Sequence, residues 1–189
     1  MFNNPISPKM RVFKLFSVLA FVLLLSVSCE NEAPRQIVFF SKDQLKKDLP
    51  VHINNTEGNT VRVNSNTIIN LKSSKVFSDN IDYLKEVDVE QLSFKIKNFK
   101  INPSAKVFNI EVFVDEIKIT ENDISIDFLS LLNGSFEFKI SNKETLAAIS
   151  SKLLQRKQVV LSYYSNAVTD ELFNFDLEFS LTTKGTFVD

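Results

Sequence analysis

The sequence predicts a mainly β protein: an antiparallel β-sandwich, immunoglobulin-like or similar, with one or two short helices and a signal-peptide helix ahead of it. Three observations predict it. Apolar and polar residues alternate at period two in several separate segments, which marks strands with one dry and one wet face. Turn-forming clusters such as "NNTEGN" and "NPSA" divide those segments. Eighteen phenylalanines, no tryptophan and three glycines supply large apolar side chains for two inward faces and little else to fill them. Strands of this kind favour antiparallel sheets that close on each other.

The elements follow in chain order. "IVFF" at 37–40 is strand-like, and "SKDQLKKDLP" at 41–50 reads as a polar break or helical turn closed by Pro50. After "NNTEGN", Val61, Val63, Ser65, Thr67 and Ile69 alternate with polar neighbours, giving a half-buried strand. "SDNIDYLKEV" at 78–87 opens with capping types and spaces Ile81 and Leu84 as a short helix would. Leu92, Phe94 and Ile96 make the next strand. Phe108, Ile110, Val112 and Val114 alternate, and "IKI" returns after Asp115-Glu116 as a hairpin.

"NDISIDFLSLLNGS" is ambiguous between a strand edge and a helical turn, and it ends at the turn pair Asn133-Gly134. Phe136, Phe138 and Ile140 alternate again. Ser141 and Glu144 form a capping-box pattern before Leu146, Ile149 and Leu153, which predicts a helix over 142–155 that crosses between sheets or plugs one end. A curved sheet holding that helix in its concave face is the alternative. Val159, Leu161 and Tyr163 make a strand, and "SNAVTDE" turns. Phe173, Phe175, Leu177, Phe179 and Leu181 then alternate strictly with Asn174, Asp176, Glu178 and Ser180.

The N-terminal stretch carries a different message. Lys9, Arg11 and Lys14 precede an apolar segment of about thirteen residues, Leu15 to Val27, short of the roughly twenty that span a bilayer. Met10 is a second candidate start. Ser26-Val27-Ser28-Cys29 holds the only cysteine, and it resembles the lipobox of bacterial lipoproteins. Leu25 stands four residues before the cysteine where the usual pattern has it three before, and Ser28 supplies the small residue next to the cut.

The resemblance covers about the first thirty residues and implies removal of residues 1–28, with acylation of Cys29 by diacylglyceryl and palmitate-type chains. Several chains together give permanent attachment, since stable anchoring needs more than one. Glu30 in place of an aspartate implies the outer membrane. Plain secretion with cleavage at Ser26-x-Ser28 and an uncleaved anchor are the alternatives. The domain organisation is then a signal peptide at 1–28, a lipidated tether at 29–36 and a single β-rich domain at 37–189.

Composition narrows the function. The mature part holds roughly 160 residues, enough for one domain with a sizeable core. Its net charge is about −4, and nucleic-acid binding wants a basic face instead. One cysteine cannot form an internal disulfide.

No catalytic signature stands out. His52 is the only histidine and reads as a partly exposed strand residue with no nucleophile beside it in sequence. The spacing shows no cofactor or zinc pattern, and glycines isolated at 58, 134 and 185 exclude a phosphate loop. Glu121, Asp123, Ser125 and Asp127 alternate like a calcium loop but lack its central glycine and closing glutamate, so a solvated strand face is the better reading.

The expected function is that of a lipid-anchored cell-envelope protein acting as a non-catalytic binding or interaction domain, with the membrane and an envelope protein as partners. Of Tyr163 and Tyr164, adjacent in a strand, one ring should face outward and could contribute to a binding surface, although both packed is the blander expectation. A carrier holding an apolar or amphipathic ligand between Phe-rich sheets is the alternative, and a glycan-processing enzyme the remote one.

Overall fold

Period-two alternation over the last segment builds a central strand, and the rest of the architecture is arranged around it. The computed structural model describes residues 37–189 except 101, 121–123, 129–130 and 132–135. Cys29, the expected signal peptide and the tether lie outside the described residues, as do Glu121, Asp123 and the Asn133-Gly134 turn.

Val38–Asp189 form one unit. Its strands among the described residues begin with β1 (Val38–Ile53), β2 (Val61–Asn70), β3 (Leu84–Lys97), β4 (Lys106–Val114) and β5 (Ile117–Lys118). They continue with β6 (Ile124–Ile126), β7 (Glu137–Ile140), β8 (Gln158–Val168) and β9 (Phe173–Val188). The helices are α1 (Lys75–Asp79) and α2 (Lys143–Arg156).

One sheet has the order β1-β9-β3-β7 and the other β2-β8-β4-β5, with β6 also on β4. Every pairing is antiparallel. The expected antiparallel β-sandwich is therefore the fold. Within that class the long strands alternate between sheets as the chain proceeds, and this order is that of a jelly roll.

The inward faces carry the alternation the sequence shows. Phe173, Phe175, Leu177, Phe179 and Leu181 are all buried. From the opposite sheet Tyr163 meets Phe175 edge-on at 6.0 Å, and Phe128 packs on Phe173 and Phe175 at 4.6 and 5.2 Å. Each buried ring contributes on the order of 1.5–3 kcal/mol.

Helix α2 links β7 in one sheet to β8 in the other, so it crosses between sheets as expected. It buries Leu146, Ile149 and Leu153. Its cap differs from the expected box: Asn142, not Ser141, accepts from the Thr145 amide at 3.0 Å. The left-handed Lys157 (φ 60°) ends it.

Other expectations are corrected by pairing. Residues 41–50 continue β1 instead of breaking it, because β9 pairs with β1 along its full length. Pro50 is tolerated there because β1 is an edge strand, where a missing N–H costs no ladder bond. Ser65 Oγ donates to the Pro50 carbonyl at 2.6 Å, which ties β2 to that edge. The short helix comes earlier than expected, at Lys75–Asp79, followed by a 3-10 turn at Ile81–Tyr83, and β3 begins at Leu84. Strand β8 runs on through Val168, taking in most of the expected turn at 165–171.

Candidate functional site

The outer face of the β2-β8-β4 sheet collects the most distinctive exposed chemistry. Tyr163 and Tyr164 are consecutive in β8, so the pleat sends them to opposite faces. Tyr163 is wholly buried, whereas Tyr164 is half-buried on the outside. Tyr163 and Ser165 share the inward face, and neither hydroxyl has a partner at full hydrogen-bond distance, although Ser165 lies near enough to act weakly on the phenol. Burial pushes the Tyr163 phenol well above its ordinary range.

Tyr164 is held from both flanks. Arg62 on β2 places its guanidinium carbon 5.5 Å from the ring centroid. Phe113 on β4 meets the ring edge-on at 5.8 Å and 84°. Beside them Lys118 Nζ donates to Glu111 Oε1 at 2.7 Å.

A bulge in β4 shapes this face. The register with β8 shifts between Phe108 and Glu111, and Asn109 there has φ 52°. Val107 and Ile110 are both buried, so the expected alternation from Phe108 holds only beyond the bulge, and Phe108 is left half-buried. The extra residue turns Asn109 outward beside Glu111.

Two open depressions of about 340 and 350 Å³ adjoin here and share Arg62, Glu111 and Tyr164. Asn109, Lys118 and Asn166 extend the first, and Phe113, Asp115 and Ser162 the second.

The floor is fixed by hydrogen bonds. Asp115, left-handed at φ 51°, donates its amide to the Val160 carbonyl at 2.7 Å and accepts the Val160 amide on Oδ1 at 2.9 Å. Arg156 lies 3.6 Å from the other carboxylate oxygen, which is buried.

A second charged cluster lies on the outer face of the other sheet. Glu178 on β9 takes Lys95 at 2.8 Å and also Lys97, which reaches Asp48 on β1 at 3.4 Å. Hydrogen bonds from the two lysines hold the Glu178 carboxyl down to about 2.

The other residues singled out from sequence lie apart. His52 is exposed on edge strand β1, and its Nδ1 donates to Asn174 Oδ1 at 2.8 Å, the amide oxygen being only an acceptor. Ser125 is in β6, and Asp127 follows that strand directly. Among the described residues, no group of three or more His, Cys, Asp or Glu is placed to hold a metal.

Sequence reasoning singled out Tyr164 and missed its companions Arg62, Glu111, Phe113 and Lys118. They come from strands distant in the chain, and β8 brings them together only in the folded sheet. Phe113 carried the one usable signal, an aromatic residue at a polar position between inward-facing Val112 and Val114.

No protein-family model and no curated protein matches the chain. Among solved structures, it is similar to the decameric BFDV capsid protein at 11% identity and TM-score 0.45, over 78% of this chain and 99% of that one. The 60-mer BFDV capsid protein matches at 9% identity and TM-score 0.41, over 79% and 94% of the two chains. Desmodium yellow mottle tymovirus matches at 10% and 0.41, over 83% and 85%. Likeness at this level carries no functional information.

Proposed function

We propose that this chain is a lipid-anchored, non-catalytic binding domain of the cell envelope, and that its binding face is the Tyr164 surface. The observation that carries the reading is the half-exposed Tyr164 ring held between Arg62 and Phe113 over a polar depression. An aromatic ring bordered by amides and charged groups suits a saccharide, whose ring offers C–H faces to stack and hydroxyls to hydrogen-bond. Glu111 and Lys118 largely neutralise each other, so Arg62 leaves a local positive balance that favours a sugar bearing a carboxylate.

The arrangement holds a ligand without reacting with it. Glu111 is occupied by Lys118, and the lone histidine is on β1 in the other sheet. A carrier role has less support, because Phe128, Phe173, Phe175 and Tyr163 pack directly on one another between the sheets.

Calorimetry with uronate-containing and neutral oligosaccharides tests the reading. Saturable binding that disappears in Tyr164→Ala is expected. Binding that survives in this variant, or none to any oligosaccharide, overturns it. The anchor has its own test: an intact mass equal to unmodified residues 29–189 removes it.

A further inference from the structure

We infer that the end of the four-stranded sheet nearest the chain's N-terminal tether is a lipid-contacting surface that seats the domain on the bilayer. Large apolar side chains are exposed there together: Val38 at 50%, Phe40 at 64% and Tyr83 at 43%. Val38 pairs with Val188 and Leu84 with Phe187, so Tyr83 lies two strands from the start of β1, about 10 Å across the sheet. Three of the six exposed large hydrophobic residues described thus belong to one sheet end. Such clustering marks an interaction surface, where scattered single residues do not.

The layering along the strands fits a bilayer in particular. Behind the apolar rim, Lys184 reaches over the Phe40 ring at 5.1 Å, and Lys42 pairs with Glu90. On β3, Glu86 stands opposite Thr186 and so level with Phe40, and Asp88 stands opposite Lys184 one step behind. An apolar tip at Val38, a tyrosine beside it and charged groups that start at the level of Phe40 match a shallow seat, with the tip among the acyl chains and Glu86, Lys184 and Lys42 among the headgroups.

The chain itself says what this end meets. From Cys29 the tether to Ile37 spans at most about 30 Å when extended. With Cys29 acylated, the start of β1 is the first part of the domain the membrane can reach. That direction rests on the anchor reading, whereas the apolar rim does not. Penetration of about 5 Å, the shallow end of what interfacial segments reach, would cover the tip and bring Phe40 to the acyl boundary with the Glu86 carboxylate at headgroup level.

The chain has no tryptophan, so single reporters can be placed at will. The full chain is reconstituted as Phe40→Trp, Tyr83→Trp or Leu172→Trp in phosphatidylethanolamine–phosphatidylglycerol vesicles with brominated acyl chains. Leu172 precedes the other end of β9, about 50 Å from Val188 along the strand. The Phe40→Trp and Tyr83→Trp chains are expected to emit at shorter wavelength and to lose most of their fluorescence to bromine. The Leu172→Trp chain should emit as tryptophan does in water and stay unquenched.

Fluorescence that stays unquenched in both Phe40→Trp and Tyr83→Trp overturns the inference. Water-like emission then means that this end hangs in solvent. Blue-shifted, unquenched emission means that another protein segment covers it, and dilution separates a second copy from the chain's own N-terminus. Intact mass reports acylation separately: an unlipidated Phe40→Trp chain that is still quenched removes the anchor reading and keeps this one.

Discussion

Arg62 lies over the Tyr164 ring with its guanidinium carbon 5.5 Å from the centroid, and the two residues come from strands about a hundred positions apart in the chain. The pairing fixes the ring before any ligand arrives, so less side-chain entropy is lost on binding. Arg62→Gln should therefore weaken neutral oligosaccharides slightly, through the lost pre-organisation, and uronate-containing ones by about tenfold more, the equivalent of one charge-assisted hydrogen bond. Calorimetry at two salt concentrations checks it, since the arginine-dependent part should also be the salt-sensitive part.

Both halves of that pairing show where sequence reading reaches and where it stops. The inward face of β9 was legible because Phe173 to Leu181 alternate without interruption and every one of them is buried. The wet faces were not. Arg62, Glu111 and Lys118 read as ordinary polar positions, and their meeting depends on which strands flank β8. The same limit explains residues 41–50, where lysines and Pro50 resemble a break until β9 supplies a partner for each residue. The bulge at Asn109 was equally hidden, because one extra residue changes the face of everything before it.

Glu178 gives a pH dependence of definite sign. Lys95 and Lys97 hold its carboxyl down to about 2 from the ordinary 4.5, so the folded chain binds this proton less readily than the unfolded one. Its contribution is complete above about pH 4.5 and is lost as pH falls towards about 2. Urea midpoints taken stepwise through that window should fall, and Glu178→Gln should fall less steeply over the same steps. Parallel curves for the two proteins would refute the assignment.

Two glycines should respond to alanine for different reasons. At Gly185 a Cβ would stand 2.7 Å from the Phe187 ring and 2.8 Å from the Phe77 ring, both fully buried. Gly185→Ala should cost about 1–3 kcal/mol as overpacking, and Phe77→Leu in the same chain should recover part of it. Gly58 has open space but φ +78°, so Gly58→Ala should cost about 1 kcal/mol and gain nothing from Phe77→Leu. Thermal unfolding of the four variants separates steric from conformational cost.

Ser150 couples the crossing helix to the first half of β3. Its hydroxyl accepts the Val89 amide at 2.8 Å and donates to the Leu146 carbonyl at 2.8 Å, beside the irregularity between Val89 and Gln91. The bond supplies a partner for an amide that the distorted ladder leaves over. Ser150→Ala should strand that buried N–H and cost about 1–3 kcal/mol. Hydrogen exchange should show the loss locally, with the Val89 amide losing protection more than amides in β8.

Tyr163 makes the opposite prediction, because here a polar atom is buried without reward. Its hydroxyl and that of Ser165 both lie inside the sandwich with no partner at full hydrogen-bond distance, Ser165 acting only weakly on the phenol, while the ring packs edge-on against Phe175. Tyr163→Phe keeps the ring contact and removes the desolvated hydroxyl, so stability should rise by up to about 1 kcal/mol. The wild-type chain should also weaken above about pH 10, where the unfolded phenol ionises and the folded one, pushed higher by burial, does not. Tyr163→Phe should lose that one contribution to the alkaline limb. A variant less stable than wild type, with an unchanged alkaline limb, would show that the hydroxyl is satisfied after all.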